Sequence, residues 1–506
     1  MKKSKLITGV CFILQQQESE LLRVRREKIN TIREKGIDPY PGSYQRTHTS
    51  VEAIEMFEST EDQQQEHFKS EKVSVVGRIV RRSNMGKAVF LDLQDGYGKL
   101  QVLFRRNNIE DSYENLSDID IGDWLGVKGP LFRTRTGEVT VEVFEWTLLC
   151  KSIRFLPEKW HGLTDIETRY RQRYLDLISN EDARRVAIMR SRLVQELRRF
   201  MDDRGFMEVE TPVLVSIAAG GTASPFSTHH NALNRNLYLR IATELYLKRL
   251  VVGGLEKVYE IGRIFRNEGV DHTHNPEFTM MESYEAFADY NDVMGMVEQL
   301  VFKLALKVLD TPHIKFGSHE IDLSPPWPRI TLRNAVEKYS GIDFTKYDDI
   351  ESLKKVMGSL GLDVGQQMSW GGLLDKLVSD LVEPKLIQPT FLIDYPVEMS
   401  PLAKKKPDDN DFVERFEGFI AGMEICNAFT ELNDPIDQRV RFEQQEALHS
   451  QFQNEDMDRL DEDFLLAIEY GMPPTGGLGI GIDRLMMLLS GHESIREVVL
   501  FPHMRG

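Results

Sequence analysis

The segment Val258–Ala286, VYEIGRIFRNEGVDHTHNPEFTMMESYEA, carries the strongest fold and function signal in this sequence. Two β-rich runs are joined by the turn GVDHTHNP, and charged and aromatic side chains interrupt both runs. So many polar groups are costly in a purely structural strand pair. Two such strands can present an arginine to phosphate, a carboxylate to the amino group of adenine, and an aromatic face to its ring. The interrupting residues are Arg263, Arg266, Glu268, His274, Glu277, Phe278, Glu282 and Tyr284.

A second polar cluster lies in Arg415–Asp434, RFEGFIAGMEICNAFTELND. Alternation along a strand places Asn427, Phe429 and Glu431 on one face. Glu424 has the opposite parity, so either a β-bulge or the start of the strand must redirect it. Glu417 and Glu424 can hold Mg²⁺ through hard carboxylate oxygens that share the ion with substrate phosphates, whereas either glutamate alone is more typical of a solvated residue.

The third cluster is Gly476–Ser490, GGLGIGIDRLMMLLS. Alternating glycines permit a close approach between the backbone and a ligand, and Arg484 falls in the first turn of the amphipathic helix that follows. A dinucleotide-binding fingerprint would follow a first strand, whereas this segment lies near the C-terminus. The sequence contains no GxxxxGK(S/T) phosphate loop, so ATP binding has to rest on the other two clusters.

Upstream, residues 73–147 consist of short β-patterned runs broken by turns, which predict a small five-stranded barrel. The turn Asp95–Gly98 predicts that AVFLDLQ and KLQVLF pair antiparallel. Alternation then leaves Phe90 and Gln101 on the outer face, where a ring can stack on a base and an amide can bind a base edge. A lone surface phenylalanine is the plainer alternative. The side chains predicted to point inward are Val89, Leu91, Leu93, Leu100, Val102 and Phe104.

Composition narrows the class of protein. The chain has 506 residues and a formal net charge of −17, which disfavours general nucleic-acid binding but permits RNA recognition at a local site. Its three cysteines are far apart in sequence, which is typical of a reducing compartment. The segment Met1–Leu14 lacks a small-residue cleavage site and is interpreted as an extension. No run is long and apolar enough to span a membrane, so we expect a cytoplasmic protein without membrane contact.

Taken together, these segments resemble the class II aminoacyl-tRNA synthetases. The stretches FMEVETPVL, FRNEGVDHTHNPEFT and GGLGIGIDR follow one another in the order of that class's motifs one, two and three. The stretches ATELYLKRL, TMMESYEAF and ICNAFTELND resemble the lysyl-tRNA synthetase subgroup, and the similarity extends from Glu18 to Gly506. The resemblance implies a homodimeric α+β protein in which an N-terminal OB-type anticodon-binding barrel precedes a catalytic antiparallel sheet flanked by helices.

The expected domain organisation follows from the composition shifts and the resemblance. We expect an N-terminal extension and helical segment at 1–65 and an OB-fold domain at 66–152. A linker at 153–180 then leads to the catalytic domain at 181–506. The stripe Val186, Met189, Leu193, Leu197, Phe200 and Met201 predicts a core-facing helix at the start of that domain.

The resemblance also implies roles for individual residues. For ATP, Arg266 would contact the α-phosphate and also the lysine carboxylate, Glu268 the adenine amino group and His274 the polyphosphate. Phe278 would stack on adenine, and Arg484 would cover the other face of the ring or contact the γ-phosphate; Arg266 and Arg484 would be catalytic. Mg²⁺ would be bound by Glu417 and Glu424. The implied lysine-binding residues are Gly220, Glu244, Glu282, Tyr284, Asn427, Phe429 and Glu431. The implied anticodon-binding residues are Arg78, Phe90, Gln101 and Glu138.

Alternatives remain at this point. An aspartate or asparagine enzyme has the same architecture, although its pocket should offer a cation or amide donors rather than Glu282 and Glu431. A catalytically silent tRNA-binding paralogue is the other class of protein, and intact Arg266 and Arg484 disfavour it. One departure from the resemblance is Thr243, which stands where related sequences usually have proline. The expected partners are tRNA(Lys), L-lysine and ATP.

Overall fold

The computed structural model describes residues 20–61, 68–157, 163–221, 223–364, 369–452 and 460–505. These residues form two compact units, divided between Gly162 and Leu163. The extension Met1–Leu14 lies outside the described residues. Within them, no helix has the length and apolar character needed to cross a membrane.

The first unit contains two helices, six strands and two 3-10 segments. In chain order they are α1 (Glu20–Glu34), α2 (Ser50–Thr60), β1 (Lys69–Met85), β2 (Ala88–Gln94), β3 (Lys99–Arg105), 3-10 turns at Arg106–Asn108 and Glu110–Ser117, β4 (Trp124–Arg133), β5 (Val139–Val143) and β6 (Glu145–Cys150).

The six strands form one sheet in the order β1-β2-β3-β5-β4-β6, and an additional pairing of β1 with β4 closes it into a ring. The stretch EVTVEVFEW, expected as a single strand, forms both β5 and β6, because the chain leaves the ladder at Phe144. The hairpin of β2 and β3 is antiparallel as predicted. All six side chains predicted to point inward are at most 5% exposed and lie in one hydrophobic core.

Helix α1 packs against this ring through Ile29 and Ile32. The basic residue Arg25 of this helix is buried, at 5% exposure. The Arg25 guanidinium donates hydrogen bonds to backbone carbonyls of Ile121, Ser152 and Arg154. Arg25 therefore holds the helix to the unit, since a buried guanidinium needs such acceptors.

The second unit contains twelve helices and thirteen strands within the described residues. In chain order they are α3 (Ile166–Arg171), α4 (Arg173–Ser179), α5 (Glu181–Asp202), β7 (Met207–Glu208), β8 (Leu214–Val215), β9 (Ser227–His230), β10 (Arg235–Leu239), α6 (Glu244–Val252), β11 (Lys257–Phe265), β12 (Glu277–Ala286), α7 (Tyr290–Leu309), β13 (His313–Phe316), β14 (His319–Asp322), β15 (Arg329–Thr331), α8 (Leu332–Ser340), α9 (Ile350–Ser359), α10 (Trp370–Leu381), β16 (Thr390–Pro396), β17 (Phe412–Ile420), β18 (Met423–Thr430), α11 (Pro435–Phe452), α12 (Glu462–Glu469), β19 (Thr475–Gly481), α13 (Ile482–Ser490) and α14 (Ile495–Val498).

Its main sheet has eight strands in the order β15-β16-β17-β18-β19-β12-β11-β7. The strands from β16 to β11 pair antiparallel, and only the outermost pairs, β15 with β16 and β7 with β11, are parallel. The stretch FMEVETPVL supplies β7 at the sheet edge and the first residue of β8, and Pro212 lies between these two strands.

Helices α5, α7 and α13 share one hydrophobic core with this sheet. The predicted apolar stripe of α5 is at most 7% exposed at every position. Because the helices fix the sheet, the adjacent strands β18, β19 and β12 form a rigid floor for the side chains that face away from that core.

Candidate active site

A cavity of about 330 Å³ lies over β18, β19 and β12. Its walls also include the start of α6, the loop between β11 and β12, and the first turn of α13. The structure brings all the residues predicted for ATP and the amino acid into this cavity, together with Glu424 of the predicted metal pair; these residues are Gly220, Glu244, Arg266, Glu268, His274, Phe278, Glu282, Tyr284, Asn427, Phe429, Glu431, Arg484 and Glu424. Glu417 does not line it.

One end of the cavity is rich in arginine. The Arg266 guanidinium lies 5.3 Å from the centre of the Phe278 ring, and its buried Nε has no hydrogen-bond partner. Arg484 Nη1 donates to the backbone oxygen of Glu424 at 2.7 Å, and Arg484 Nη2 lies 3.3 Å from His274 Nε2. An unpaired buried N–H beside a second arginine is suited to an anion, because each charge-assisted hydrogen bond to phosphate is stronger than a neutral one.

A β-bulge redirects Glu424, as its parity requires. Gly418 pairs with Cys426, but the next residue of β17, Phe419, pairs with Glu424, so Ile425 is an extra residue in β18. The bulge returns Glu424 to the face that carries Asn427. Ile425 itself is 1% exposed and belongs to the sheet's hydrophobic core.

Glu417 pairs with Asn427 across β17 and β18, and its side chain is mostly enclosed, at 15% exposure. Its carboxylate accepts hydrogen bonds from Tyr395 Oη at 2.8 Å and from Arg415 Nη2 at 2.5 Å. Burial raises the pKa of Glu417 to about 7, Arg415 opposes this, and Glu424 adds to it. Glu417 is therefore not the solvated residue that it resembles in sequence.

Excess negative charge surrounds Glu417. Burial raises the pKa of Asp375 and of Glu383, and repulsion from Glu424 raises both further. Four carboxylates face two guanidinium groups, which leaves two uncompensated charges when all are ionised; these groups are Asp375, Glu383, Glu417, Glu424, Arg415 and Arg484. No set of three histidine, cysteine, aspartate or glutamate side chains converges as metal ligands in the described part of the chain. A divalent ion that takes one or two carboxylates and completes its shell with phosphate and water fits this donor set.

The closed end of the cavity is acidic. Glu282 and Glu431 are 5% and 1% exposed, and Glu244 is 7% exposed. Burial raises the pKa of Glu282 to about 7, and burial together with repulsion from Glu244 and Glu282 raises the pKa of Glu431 well above its ordinary value, against the effect of Lys248. Within the described residues Glu431 Oε1 has no hydrogen-bond partner, whereas Glu431 Oε2 is paired with the Lys248 ammonium group. Such a site favours a ligand that brings N–H donors and positive charge.

Gly477 in β19 has a steric role at this end. A Cβ at Gly477 would lie 1.8 Å from Glu431 Oε1 and 2.7 Å from Tyr284 Cε1, so any side chain there would displace both. Gly479 and Gly481 line the cavity without such contacts. Of the three alternating glycines, the first is thus required by neighbouring side chains and the other two leave room for a ligand.

Two contacts at the acidic end were missed in the sequence. Lys248 is fully buried and forms ion pairs with Glu244 and Glu431. The spacing of Glu244 and Lys248 by four residues in ATELYLKRL was the available signal. The second contact is from the Thr243 backbone N–H, which donates to Glu282 Oε1 at 3.1 Å. Proline at this position would have no N–H to donate.

In the first unit, the strand register places Arg78, Phe90 and Gln101 on the face opposite the core. Gln101 Nε2 donates to Glu138 Oε2 at 2.9 Å, and Gln101 Oε1 accepts from Thr140. These bonds leave Gln101 only 9% exposed, so it is more enclosed than alternation alone indicates. The Arg78 guanidinium donates a hydrogen bond to the Gly122 carbonyl and lies 5.0 Å from the centre of the Trp124 ring.

Comparison with known proteins agrees with this geometry. The family of class II tRNA synthetases for D, K and N matches residues 165–505, and the OB-fold nucleic acid binding domain matches residues 73–149. The chain is 52% identical to the lysine–tRNA ligase of Dehalococcoides mccartyi strain CBDB1 over 489 residues, which is 96% of this chain and 98% of that protein. It is 50% identical to the lysine–tRNA ligase of Bacillus subtilis strain 168 over 491 residues, which is 97% of this chain and 98% of that protein.

The chain belongs to the lysine–tRNA ligase family of class II synthetases. The class II match covers the sheet that carries the cavity, and the OB-fold match covers the ring of strands in the first unit. Members of this family are ligases that form aminoacyl-tRNA, and they use ATP with a divalent metal.

Thr243 generates a prediction specific to this chain. Thr243→Pro removes the backbone donor to Glu282, so the pKa of Glu282 should rise further and the amino acid should bind more weakly at neutral pH. Losing one hydrogen bond to a charged group costs about 1.5 to 3 kcal/mol, or roughly ten- to hundredfold in affinity. The KM of the amino-acid substrate is measured between about pH 6 and 8.5. The increase in this KM relative to wild type should be largest at low pH.

Thr243→Ala is the matched control, because it keeps the N–H and removes only the side chain. If Thr243→Ala and Thr243→Pro shifted the pH profile equally, the backbone hydrogen bond would have no part in the effect.

Proposed function

We propose that this protein is a lysine–tRNA ligase that uses ATP to convert L-lysine to lysyl-adenylate and then transfers the lysyl group to the 3′ end of tRNA(Lys). The observation that carries the choice of amino acid is the acidic end of the cavity, where three buried carboxylates meet a single buried ammonium group. Membership of the family supports the reaction class, and the charge balance of the cavity supports the substrate.

The charge balance is simple arithmetic. When ionised, Glu244, Glu282 and Glu431 contribute three negative charges, and Lys248 returns one positive charge, so two negative charges remain. L-lysine brings two ammonium groups for these two charges, and its carboxylate would pair with Arg266, a further cation near Glu282. Aspartate and asparagine each bring only one ammonium group, and the side-chain carboxylate of aspartate would also face Glu431. The aspartate and asparagine alternatives are disfavoured for this reason.

Protons are the counter-ions of the free site. Because the pKa of Glu282 is about 7 and that of Glu431 lies well above its ordinary value, both carboxyls bind protons more readily than surface glutamates do. Lysine has to displace these protons, so its affinity increases as pH rises through about 7. The same raised pKa makes the free fold more stable at low pH, and that contribution is lost as pH rises toward the folded-state pKa.

Individual roles follow the ends of the cavity. Gly220 and Glu244 would bind the α-ammonium group, and Asn427 the carboxylate. Glu282, Tyr284 and Glu431 would bind the ε-ammonium end, with Phe429 beside the aliphatic chain. Their position along one cavity, with the acids at the closed end, supports this arrangement.

The arginine-rich end would bind ATP. Arg266 would contact the α-phosphate through the guanidinium whose Nε has no partner in the protein, and Phe278 would stack on adenine. Glu268 would accept a hydrogen bond from the adenine amino group. Arg484 and His274, which lie within 3.3 Å of each other, would face the remaining phosphates.

Activation needs no covalent enzyme nucleophile. A carboxylate oxygen of lysine attacks the α-phosphorus of ATP, the bond from that phosphorus to the bridging oxygen breaks, and pyrophosphate leaves. Arg266 and Arg484 stabilise the charge that develops on the phosphate oxygens. In the second step the terminal ribose hydroxyl of tRNA attacks the lysyl carbonyl and AMP leaves.

Mg²⁺ would be held by Glu424 and Glu417. When bound, it would neutralise phosphate charge and help to orient the polyphosphate. Glu424 is the more accessible ligand, since its side chain is 38% exposed and lines the cavity, while Glu417 at 15% lies behind it.

We also propose that the first unit binds the anticodon through Arg78, Phe90, Gln101 and Glu138. A homodimer in the cytoplasm is the assembly that we expect. Apolar side chains on and beside the short edge strands β7 and β8 support a partner surface there, since Met207, Val213 and Leu214 are 53%, 41% and 47% exposed.

The direct test is amino-acid-dependent exchange of labelled pyrophosphate into ATP, measured with lysine, aspartate and asparagine in turn. We expect exchange with lysine and little with the others. Glu431→Gln should raise the KM for lysine by about 100-fold or more, because loss of one partner of a buried charge pair costs roughly 3 to 5 kcal/mol.

Glu298→Gln is the matched control for that substitution. Glu298 is also buried, and its Oε1 accepts the Trp327 backbone N–H, a bond that a glutamine oxygen can keep. Lysine-dependent exchange that was unaffected by Glu431→Gln would refute the assignment of the acidic end to the ε-ammonium group.

A second prediction concerns the metal. Glu424→Gln should raise the Mg²⁺ concentration for half-maximal exchange by about tenfold, since it removes one hard anionic ligand. Glu414→Gln, on the neighbouring strand β17, serves as the control. An unchanged Mg²⁺ dependence in Glu424→Gln would leave Glu424 as a structural partner of Arg484 only.

A third prediction separates the two units. Phe90→Ala and Gln101→Ala should lower tRNA charging about ten- to hundredfold, because a stacked base contact contributes roughly 1 to 3 kcal/mol. Pyrophosphate exchange should stay near wild type, since adenylate formation requires no anticodon. Tyr97→Ala, at the exposed tip of the same hairpin, is the control, and thermal unfolding monitors stability. Equal loss of both activities would contradict the anticodon assignment.

A further inference from the structure

The buried lysine at the acidic end is unusual because it does not face the cavity. Lys248 lies one turn after Glu244 on α6, is 0% exposed, and is absent from the cavity lining. Its Nζ lies 2.5 Å from Glu244 Oε1 and also contacts Glu431 Oε2. Both of these carboxylates line the cavity, so Lys248 contacts them from behind.

Aromatic rings enclose the same ammonium group. Its Nζ lies 5.6 Å, 5.9 Å and 6.0 Å from the ring centres of Phe429, Phe464 and Tyr284. Burial opposes the charge, but Glu244 and Glu431 outweigh it and raise the pKa of Lys248. Lys248 is therefore a permanent cation at the pH values where the enzyme works.

We propose that Lys248 is a positioning residue for substrate selection, a fixed internal cation that holds Glu244 and Glu431 in place and sets the charge left for the substrate at two. The proposal rests on the proposed function, because it matches the two remaining negative charges to two ammonium groups of the substrate. With Lys248 present, a diamine amino acid completes the charge balance. Without it, a third positive charge is needed.

A proton is the available substitute for Lys248. The titratable groups around it are Glu244 on the same helix, Glu282 and Tyr284 on β12, and Glu431 after β18. Lys248 lowers the pKa of Glu431, whereas burial, Glu244 and Glu282 raise it. Removal of Lys248 consequently favours the protonated form of Glu431, and lysine then has to displace a more tightly held proton.

The test compares Lys248→Met with Lys257→Met in the full-length protein. Lys257 also pairs with a glutamate, with its Nζ 2.6 Å from Glu285 Oε1, but its side chain is 37% exposed and lies outside the cavity. Lysine-dependent pyrophosphate exchange is measured from about pH 6 to 8.5. At pH 7 the KM for lysine should rise about tenfold or more in Lys248→Met, a loss of at least 1.4 kcal/mol.

The pH profile distinguishes positioning from general damage. In Lys248→Met the increase in the KM for lysine should become smaller as pH rises, because the carboxyls ionise. The KM for ATP should stay within about twofold of wild type. The proposal would be overturned by an increase in the KM for lysine that is the same at every pH, or by an equal rise in the KM for ATP. An unchanged KM for lysine would overturn it as well.

Lys248→Gln protects the test against a folding failure. Glutamine keeps hydrogen-bond donors between the two carboxylates but carries no charge, so the Lys248→Gln variant should fold more readily than Lys248→Met. Its profile of lysine KM against pH should be displaced toward higher pH in the same way. If it kept the wild-type profile, the charge of Lys248 would be irrelevant. Absence of lysine-dependent exchange in wild type and Lys257→Met would instead refute the proposed function, independently of Lys248.

Discussion

Buried negative charge that the fold leaves uncompensated is the constraint on which this site depends. Carboxylates removed from water are tolerated only when cations, protons or a ligand neutralise them. Glu282 and Glu431 satisfy this partly by a raised pKa. The sheet and its helices supply the rigidity that prevents these side chains from turning toward water, and in the proposed function the substrate would supply the missing charge.

At each end of the cavity a cation of the protein pairs with enclosed carboxylates, and the two ends use different cations. At the amino-acid end a lysine stands behind two glutamates, and at the phosphate end Arg415 stands behind Glu417. In each case the internal cation is buried and the accessible face stays acidic. The phosphate end adds Arg484 on the accessible side, which suits an anionic ligand that arrives together with a metal ion.

Much of this fold and site was predictable from sequence patterns that extend over only a few residues. Alternation identified the inward residues of β2 and β3, and the helical stripe identified the buried face of α5, because both depend on local backbone periodicity. The parity of Glu424 indicated either a bulge or the start of the strand, and only the pairing of β18 with its partner strand decides between them. The pairing of Lys248 with Glu431 and the contacts of Arg25 and Gln101 were not predictable either, because they join groups whose proximity only the tertiary fold creates.

The bulge at Ile425 has a consequence for how such an enzyme can diversify. One extra residue separates β18 into a first part that faces the phosphate end and a second part that faces the amino-acid end. Because the extra residue absorbs the change of parity, substitutions in one part leave the register of the other intact. On the proposed roles, amino-acid preference could be altered through Asn427 to Glu431 without changing Glu424, which lies on the other side of the bulge.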